Sequence, residues 1–430
     1  MTTSTVFLVL ASFGLALSLI TWFRIRLAGW LLLPTFVVGW LRGELALQTV
    51  VVEMLVTLVF LLGGIHRELP GQIGLGLSLV SWTLLVASHR RGLGAGRVFA
   101  AALAPLGIQP MTDVSAFHGL LRPFAFAHPA VRAVRNLEYG PSLPGDKGGR
   151  NRLDLYLPTA SKPGDRRPVL LQIHGGAWII GDKREQGRPL MNQLAARGWV
   201  CAASNYRLSP AATMPEQIID VKRAIAWLRT QIAEYGGDPN FICITGGSAG
   251  GHLASLAALT PNEPNFQPGF ESVDTRVEAC VPFYGVFDFL DRAGDRRFGK
   301  MSDALGPMVF KCKPEENFEL WDSVCPVSRV HPSAPPFFVI QGTHDSLVFS
   351  EEADRFVGHL KQTSQEVVLH AELPGAQHAF EIFHSPRSAH AVHAATAFLE
   401  WVHARATPSS PRGTPPQSLP GSDCAAPSDR

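Results

Sequence analysis

The sequence predicts an α/β domain built on a mostly parallel sheet, preceded by a transmembrane helical region. Three observations carry this. Residues 5–23, TVFLVLASFGLALSLITWF, hold no charge over a length close to the roughly 20 residues of a bilayer-spanning helix. From about 151 to 405, short apolar runs alternate with amphipathic helical stretches. Charged residues make up only 17% of the chain while apolar ones reach 46%, so apolar surface exceeds what one soluble core needs.

The N-terminal elements come first. A signal peptide fits poorly, because MTTST carries no Lys or Arg and the apolar run after it is longer than a usual signal core. Further apolar runs follow at 27–40, 45–65 and 69–88, and three or four helices are expected in a membrane region over 1–90. The 27–40 run is short and contains Pro34, which suits a tilted or re-entrant segment. Glu53, inside the third run, is expected to face a neighbouring helix. With three spans, Arg24, Arg26, Arg42, Arg90, Arg91 and Arg97 share one side and Arg67 lies opposite, which sets the C-terminal domain in the cytoplasm. With four spans the bias nearly vanishes. The expectation is a multi-pass cell-membrane protein with its larger domain on the cytoplasmic side.

Residues 91–150 read as a connector, whose AFHGLLRPFAFAHPAVRAV could lie on the bilayer or pack on the domain. A tail over 406–430, rich in Pro, Ser and Gly, is expected to be disordered. Net charge is +2 and the basic residues are dispersed, so nothing suggests nucleic-acid binding. The six cysteines form no CxxC pair, and no metal or cofactor is indicated. Cys201, Cys243 and Cys280 read as small buried hydrophobes; pairing of Cys312 with Cys325 stays open.

Within 151–405, RLDLYLP alternates Leu153, Leu155 and Leu157 as a strand does. PVLLQIHG, WVCAASNY, FICITGG, ACVPFYG, PFFVIQG and EVVLHAELP are near-continuous apolar runs, as parallel strands buried on both faces require. In EQIIDVKRAIAWLRTQIAEYGG, Ile218, Val221, Ile225, Leu228 and Ile232 follow helical spacing and Gly236 is placed to stop it. RPLMNQLAARG stops similarly at Gly198. Ligands of such sheets bind at the carboxyl ends of the strands.

The chemically suggestive residues fall at those ends. Gly246-Gly247-Ser248-Ala249-Gly250 fits G-x-S-x-G between a strand and a helix, where a tight turn lifts the serine hydroxyl out of the fold. Asp345, in IQGTHDSLV, and His378, in LPGAQHAFEIF, each follow a strand. The order Ser248, Asp345, His378 suits a nucleophile, an orienting acid and a base. Asp288 is a weaker rival acid. IHGGAWIIGDK offers Gly175 and Gly176, whose N–H groups, with that of Ala249, could hold an oxyanion. His174 is expected to brace that loop. Trp178, Phe287 and Phe380 are candidates for the pocket wall, and the aromatics of 285–335 (Phe287, Phe289, Phe298, Phe310, Phe318, Trp321) for a cap or for ordinary packing.

HGGAW, NYRLSP, YGGDPNFICITGGSAGGHLA, FYGVFDF, GTHDSLV and GAQHAF together resemble the α/β-hydrolase superfamily. Within it they are similar to the carboxylesterase branch related to hormone-sensitive lipase and to bacterial feruloyl and acetylxylan esterases. The resemblance covers about 151–405 and implies an α/β-hydrolase fold and a serine esterase or lipase-like enzyme acting through an acyl-enzyme. It implies Ser248 as nucleophile, His378 as base, Asp345 as acid, and Gly175, Gly176 and Ala249 at the oxyanion hole. One departure is Ala177-Trp178, where lipase-like relatives carry a third glycine often associated with bulky alcohols. The HGGxW form is also that of arylformamidases, and HGGAWIIG is close to membrane-attached prenylcysteine methylesterases. An amidase, a methylesterase and a membrane-tethered binding protein therefore stand as alternatives. The expected partner is a small ester or a lipid.

Overall fold

The computed structural model describes residues 1–24, 31–110, 113–296 and 301–406. Arg26, residues 27–30 of the second apolar run, Phe298, Cys424 and the tail from 407 onward lie outside the described residues.

Five helices open the chain: α1 (Thr3–Ile20), α2 (Leu32–Glu44), α3 (Ala46–Leu62), α4 (Leu69–Leu93) and α5 (Ala95–Leu103). α1 begins at Thr2, whose hydroxyl accepts the Thr5 N–H, a capping bond that satisfies one free donor of the first turn. α1 and the continuous run Leu69–Leu106 are each long and apolar enough to cross a bilayer; α2 and α3 meet that test together but are bent by 91° where they join. α1 and α4 run parallel. Thr2 reaches Glu68 at the start of α4, Ser18 meets Ser81 at 2.8 Å, and the Trp22 indole donates to the Leu84 carbonyl. α3 runs back between their two ends. Glu53 faces its neighbours as expected: it accepts from Arg42 at 2.6 Å and from Ser81 at 3.2 Å.

The rest is an eight-stranded sheet in the order β1-β2-β4-β3-β5-β6-β7-β8. The strands are β1 (Val131–Glu138), β2 (Arg152–Pro158), β3 (Arg167–Ile173), β4 (Val200–Ser204), β5 (Gly237–Gly247), β6 (Cys280–Phe283), β7 (Phe337–Gly342) and β8 (Val368–Leu373). β2 is antiparallel to both β1 and β4; every other pairing is parallel. Its helices are α6 (Arg188–Ala196), α7 (Glu216–Gln231), α8 (Ala249–Leu259), α9 (Met301–Leu305), α10 (Phe318–Ser323), α11 (Ser350–Thr363) and α12 (Pro386–Ala406).

Strand periodicity sorts the core into two layers, since successive side chains point to opposite faces. Val169, Leu171, Ile173, Ile242, Ile244, Phe337 and Val339 pack with α7, α8 and α11. Leu170, Cys201, Cys243, Val281, Phe338 and Ile340 pack with α5, α6 and α12. Two features depart from the sequence reading, and both lie in the stretch taken as a connector. α5 is part of the second layer, with Phe99 edge-on to Phe338. β1 is a true edge strand; its polar residues (Arg132, Arg135, Asn136, Glu138) leave it half exposed and without an apolar rhythm to betray it. Cys312 and Cys325 are both free thiols.

Candidate active site

The turn from β5 into α8 follows directly from its residues. Ser248 has φ 58° and ψ −123°, a conformation that side-chain-bearing residues rarely adopt, and it persists because the surrounding backbone fixes it. The Ser248 N–H donates to the Phe283 carbonyl of β6, and its own carbonyl accepts the His252 N–H one turn on. A Cβ at Gly246 would lie 2.7 Å from the Ile173 carbonyl oxygen, and one at Gly250 would fall onto that same oxygen. Only glycine lets β3, β5 and α8 approach so closely. Ser248 itself stays half-buried.

His378 and Asp345 arrive from the ends of β8 and β7. His378 Nδ1 meets Asp345 Oδ2 at 2.7 Å. The Asp345 carboxylate is fully buried, and its other contacts fix it: Leu347 N–H at 2.9 Å, Val348 N–H at 2.8 Å and the Gln341 amide at 3.1 Å. The His378 N–H donates to Gln377 Oε1, which also accepts from Ser346, so the two loops are stitched together. Asp288, the rival acid, instead accepts from Leu290, Arg292 and the Arg292 guanidinium, away from His378.

Tyr284 links the two halves. Its ring lies 4.4 Å from that of His378, and a Cβ at Gly247 would come within 2.7 Å of its hydroxyl. The hydroxyl donates to Glu381 Oε2. Glu381 is buried, and burial raises its pKa to about 7. Neither Tyr284 nor Glu381 was singled out from sequence, although an acid within the apolar stretch AFEIF was the available signal.

The HGGAW loop packs against the serine. A Cβ at Gly175 would stand 3.1 Å from Ser248 Cβ, and Gly176 has φ 116°. The Gly175 N–H donates to Gln186 Oε1 at 2.7 Å, so this donor is already engaged, by a residue the sequence reading passed over. The Gly176 and Ala249 N–H groups have no acceptor among the described residues. His174 stacks on Tyr206 at 4.4 Å, and burial lowers its pKa to about 4, so it packs as a neutral brace.

The pocket-wall candidates take other places. Trp178 is 2% exposed and its indole donates to His252. Phe287 is stacked on Phe356 at 4.2 Å, and Phe380 is closed inside the second layer beside Tyr284. Phe289, Phe310 and Trp321 belong to the first-layer core, and Phe318 points to solvent. These rings are too large to leave uncovered in the sheet's two layers, and packing claims them before a ligand can.

What packs on His378 from outside is α2. Phe36 stands edge-on to the imidazole at 5.8 Å. The Trp40 indole donates to the Ala379 carbonyl at 2.8 Å, and its ring stacks on Phe383 at 4.7 Å. Glu44 forms a buried ion pair with Arg387 and accepts from Ser385. Arg24 pairs with Glu351 at 2.5 Å.

A serine at a strained strand–helix turn and a hydrogen-bonded histidine–aspartate pair at the last two strand ends of an open, mostly parallel sheet are the arrangement of the α/β-hydrolase fold. The domain has the α/β-hydrolase fold, and residues 153–360 match the BD-FAE family model. Over 260 residues the chain is 52% identical to "Probable carboxylic ester hydrolase LipM" of Mycobacterium tuberculosis, covering 60% of each protein. It is 45% identical over 271 residues to "Esterase LipQ" of the same organism, covering 63% of this chain and 62% of that one. The chain thus spans about three-fifths of the length of the curated relatives it matches. A thermophilic esterase from Thermogutta terrifontis superimposes with a TM-score of 0.51 at 25% identity, over 68% of this chain and 97% of that one.

Proposed function

We propose that this protein is a membrane-anchored serine carboxylic ester hydrolase. The observation that carries the reading is the buried His378–Asp345 pair, at 2.7 Å, in the same domain as a serine held at φ 58° on a strand–helix turn. His378 Nε2 takes the Ser248 proton as Oγ attacks the ester carbonyl. Asp345 fixes the imidazole with Nδ1 protonated and stabilises the cation that forms. The N–H groups of Gly176 and Ala249 hold the oxyanion, and Gly175 joins them once Gln186 releases it. His378 then returns the proton to the departing alcohol, leaving an acyl group on Ser248. Water, activated by the same histidine, adds to that acyl carbon and releases the acid and free serine. An ester substrate is favoured over an amide by the relatives named as esterases, and a binding scaffold without chemistry is disfavoured by the intact set Ser248, His378 and Asp345.

Anchorage rests on α1, α3 and α4 as spans, with α2 lying along the interface. On this topology Arg24, Arg42, Arg90, Arg91 and Arg97 sit at the end where the hydrolase domain docks and Arg67 at the other, which orients the domain to the cytoplasm. The test is hydrolysis of p-nitrophenyl esters of increasing acyl length, with a prenylcysteine methyl ester alongside, by wild type and Ser248→Ala in detergent. Turnover should fall by roughly 10⁴-fold in the variant. Full activity in Ser248→Ala would sink the reading.

A further inference from the structure

Three large apolar side chains stand exposed on the segment between the helices and β1: Phe117 at 69%, Leu121 at 91% and Phe124 at 59%. Their height is fixed by two tethers. The Gln48 amide, on the first turn of α3, donates to the Gly119 and Leu120 carbonyls at 3.2 Å each. His89, near the end of α4, bonds the Ala116 carbonyl at 2.7 Å. The patch is therefore held at the level where α3 and α4 meet the hydrolase domain, and both helices also carry exposed apolar residues (Val51, Val52, Leu55, Val59, Leu79, Val80). Exposed apolar surface at such a level is the mark of an interfacial segment.

Behind the patch runs an unbroken row of rings. Phe124 is edge-on to Phe383 at 5.2 Å, and Phe383 is stacked on Trp40 at 4.7 Å. Trp40 is stacked on Phe36 at 5.6 Å, and Phe36 is edge-on to His378 at 5.8 Å. The row leads from the interfacial patch to the histidine, and it crosses from the connector to the His378 segment and then to α2.

We propose that Phe117, Leu121 and Phe124 seat in the lipid bilayer, and that the ring row braces the His378 side of the site against this seat, so that Ser248 takes its ester from the lipid. The inference rests on the ester-hydrolase reading and on the proposed anchorage. It assigns the substrate class: an ester with one long apolar chain, taken from the membrane rather than from water.

The test uses the full chain in phosphatidylcholine vesicles, with a long-acyl ester dissolved in the bilayer and a soluble butyrate ester in parallel. The variant is Phe117→Ser with Leu121→Asp, two exposed positions outside the ring row. Its kcat/KM on the bilayer ester should fall at least about tenfold, while the butyrate rate, which also reports folding, stays within about twofold. Parallel loss on both substrates, or no loss on either, overturns the inference. So does a wild type that cleaves butyrate and leaves the bilayer ester intact, an outcome that keeps the esterase reading. Full activity of Ser248→Ala on both esters would instead remove the esterase reading itself.

Discussion

Glu381 offers a stability measurement that depends on one proton. Its side chain is buried, shares a hydrogen bond with the Tyr284 hydroxyl, and lies near a second acid, Glu44. Burial, the largest influence, raises its pKa from 4.5 to about 7. Below pH 4.5 folded and unfolded chains both hold this proton, and the group costs nothing. Between 4.5 and 7 the unfolded chain has released it while the folded chain retains it, so rising pH favours unfolding. Above 7 the cost is complete, at about 3 kcal/mol for a shift of this size. Glu381→Gln removes the titration and keeps an acceptor for Tyr284. The variant should match wild type near pH 4.5 and exceed it by up to about 3 kcal/mol at pH 8. Urea unfolding of the detergent-solubilised chain, followed by tryptophan fluorescence across that range, reads the difference; other titrating groups are common to both chains and cancel. A wild-type-minus-variant difference that stays flat with pH would refute the reasoning.

Three further outcomes are expected. Asp345→Asn presents an amide to His378 Nδ1 and should lower kcat by about 10⁴-fold, with little change in the unfolding midpoint. Gly250→Ala drives a methyl group into the Ile173 carbonyl and should cost several kcal/mol through strain and overpacking, read as loss of folded protein by circular dichroism. Glu44→Ala strands the buried Arg387 guanidinium and should destabilise by about 3–5 kcal/mol, seen in the urea midpoint at pH 8.

The sheet was legible wherever strands are buried on both faces, because a short, continuous apolar run bounded by turn residues suits a strand shielded from water on both sides. β1 escaped because an exposed edge strand needs no such run. The strand-end positions of Ser248, Asp345 and His378, and with them the proposed roles, could be argued from chain order, which the His378–Asp345 contact fits. Phe287, Phe380 and Trp178 were misplaced for the opposite reason: aromatic identity does not distinguish a core from a pocket. Contacts between distant segments, such as Gln186 with Gly175, Glu381 with Tyr284 and α2 with the His378 loop, leave no local pattern at all. They depend on three-dimensional docking of residues up to 343 positions apart, as Glu44 and Arg387 are.

That last separation bears on how the protein is made. α2 is synthesised long before its partners, Ala379, Phe383, Ser385 and Arg387. Domains generally fold from the N-terminal side as the chain emerges. On the proposed topology, α2 is already lodged at the membrane when the His378 loop leaves the ribosome. The histidine segment then closes onto a platform the bilayer has prepared. Chains that miss insertion lack that platform, so hydrolytic competence would appear only after arrival at the membrane, and misrouted copies would stay silent.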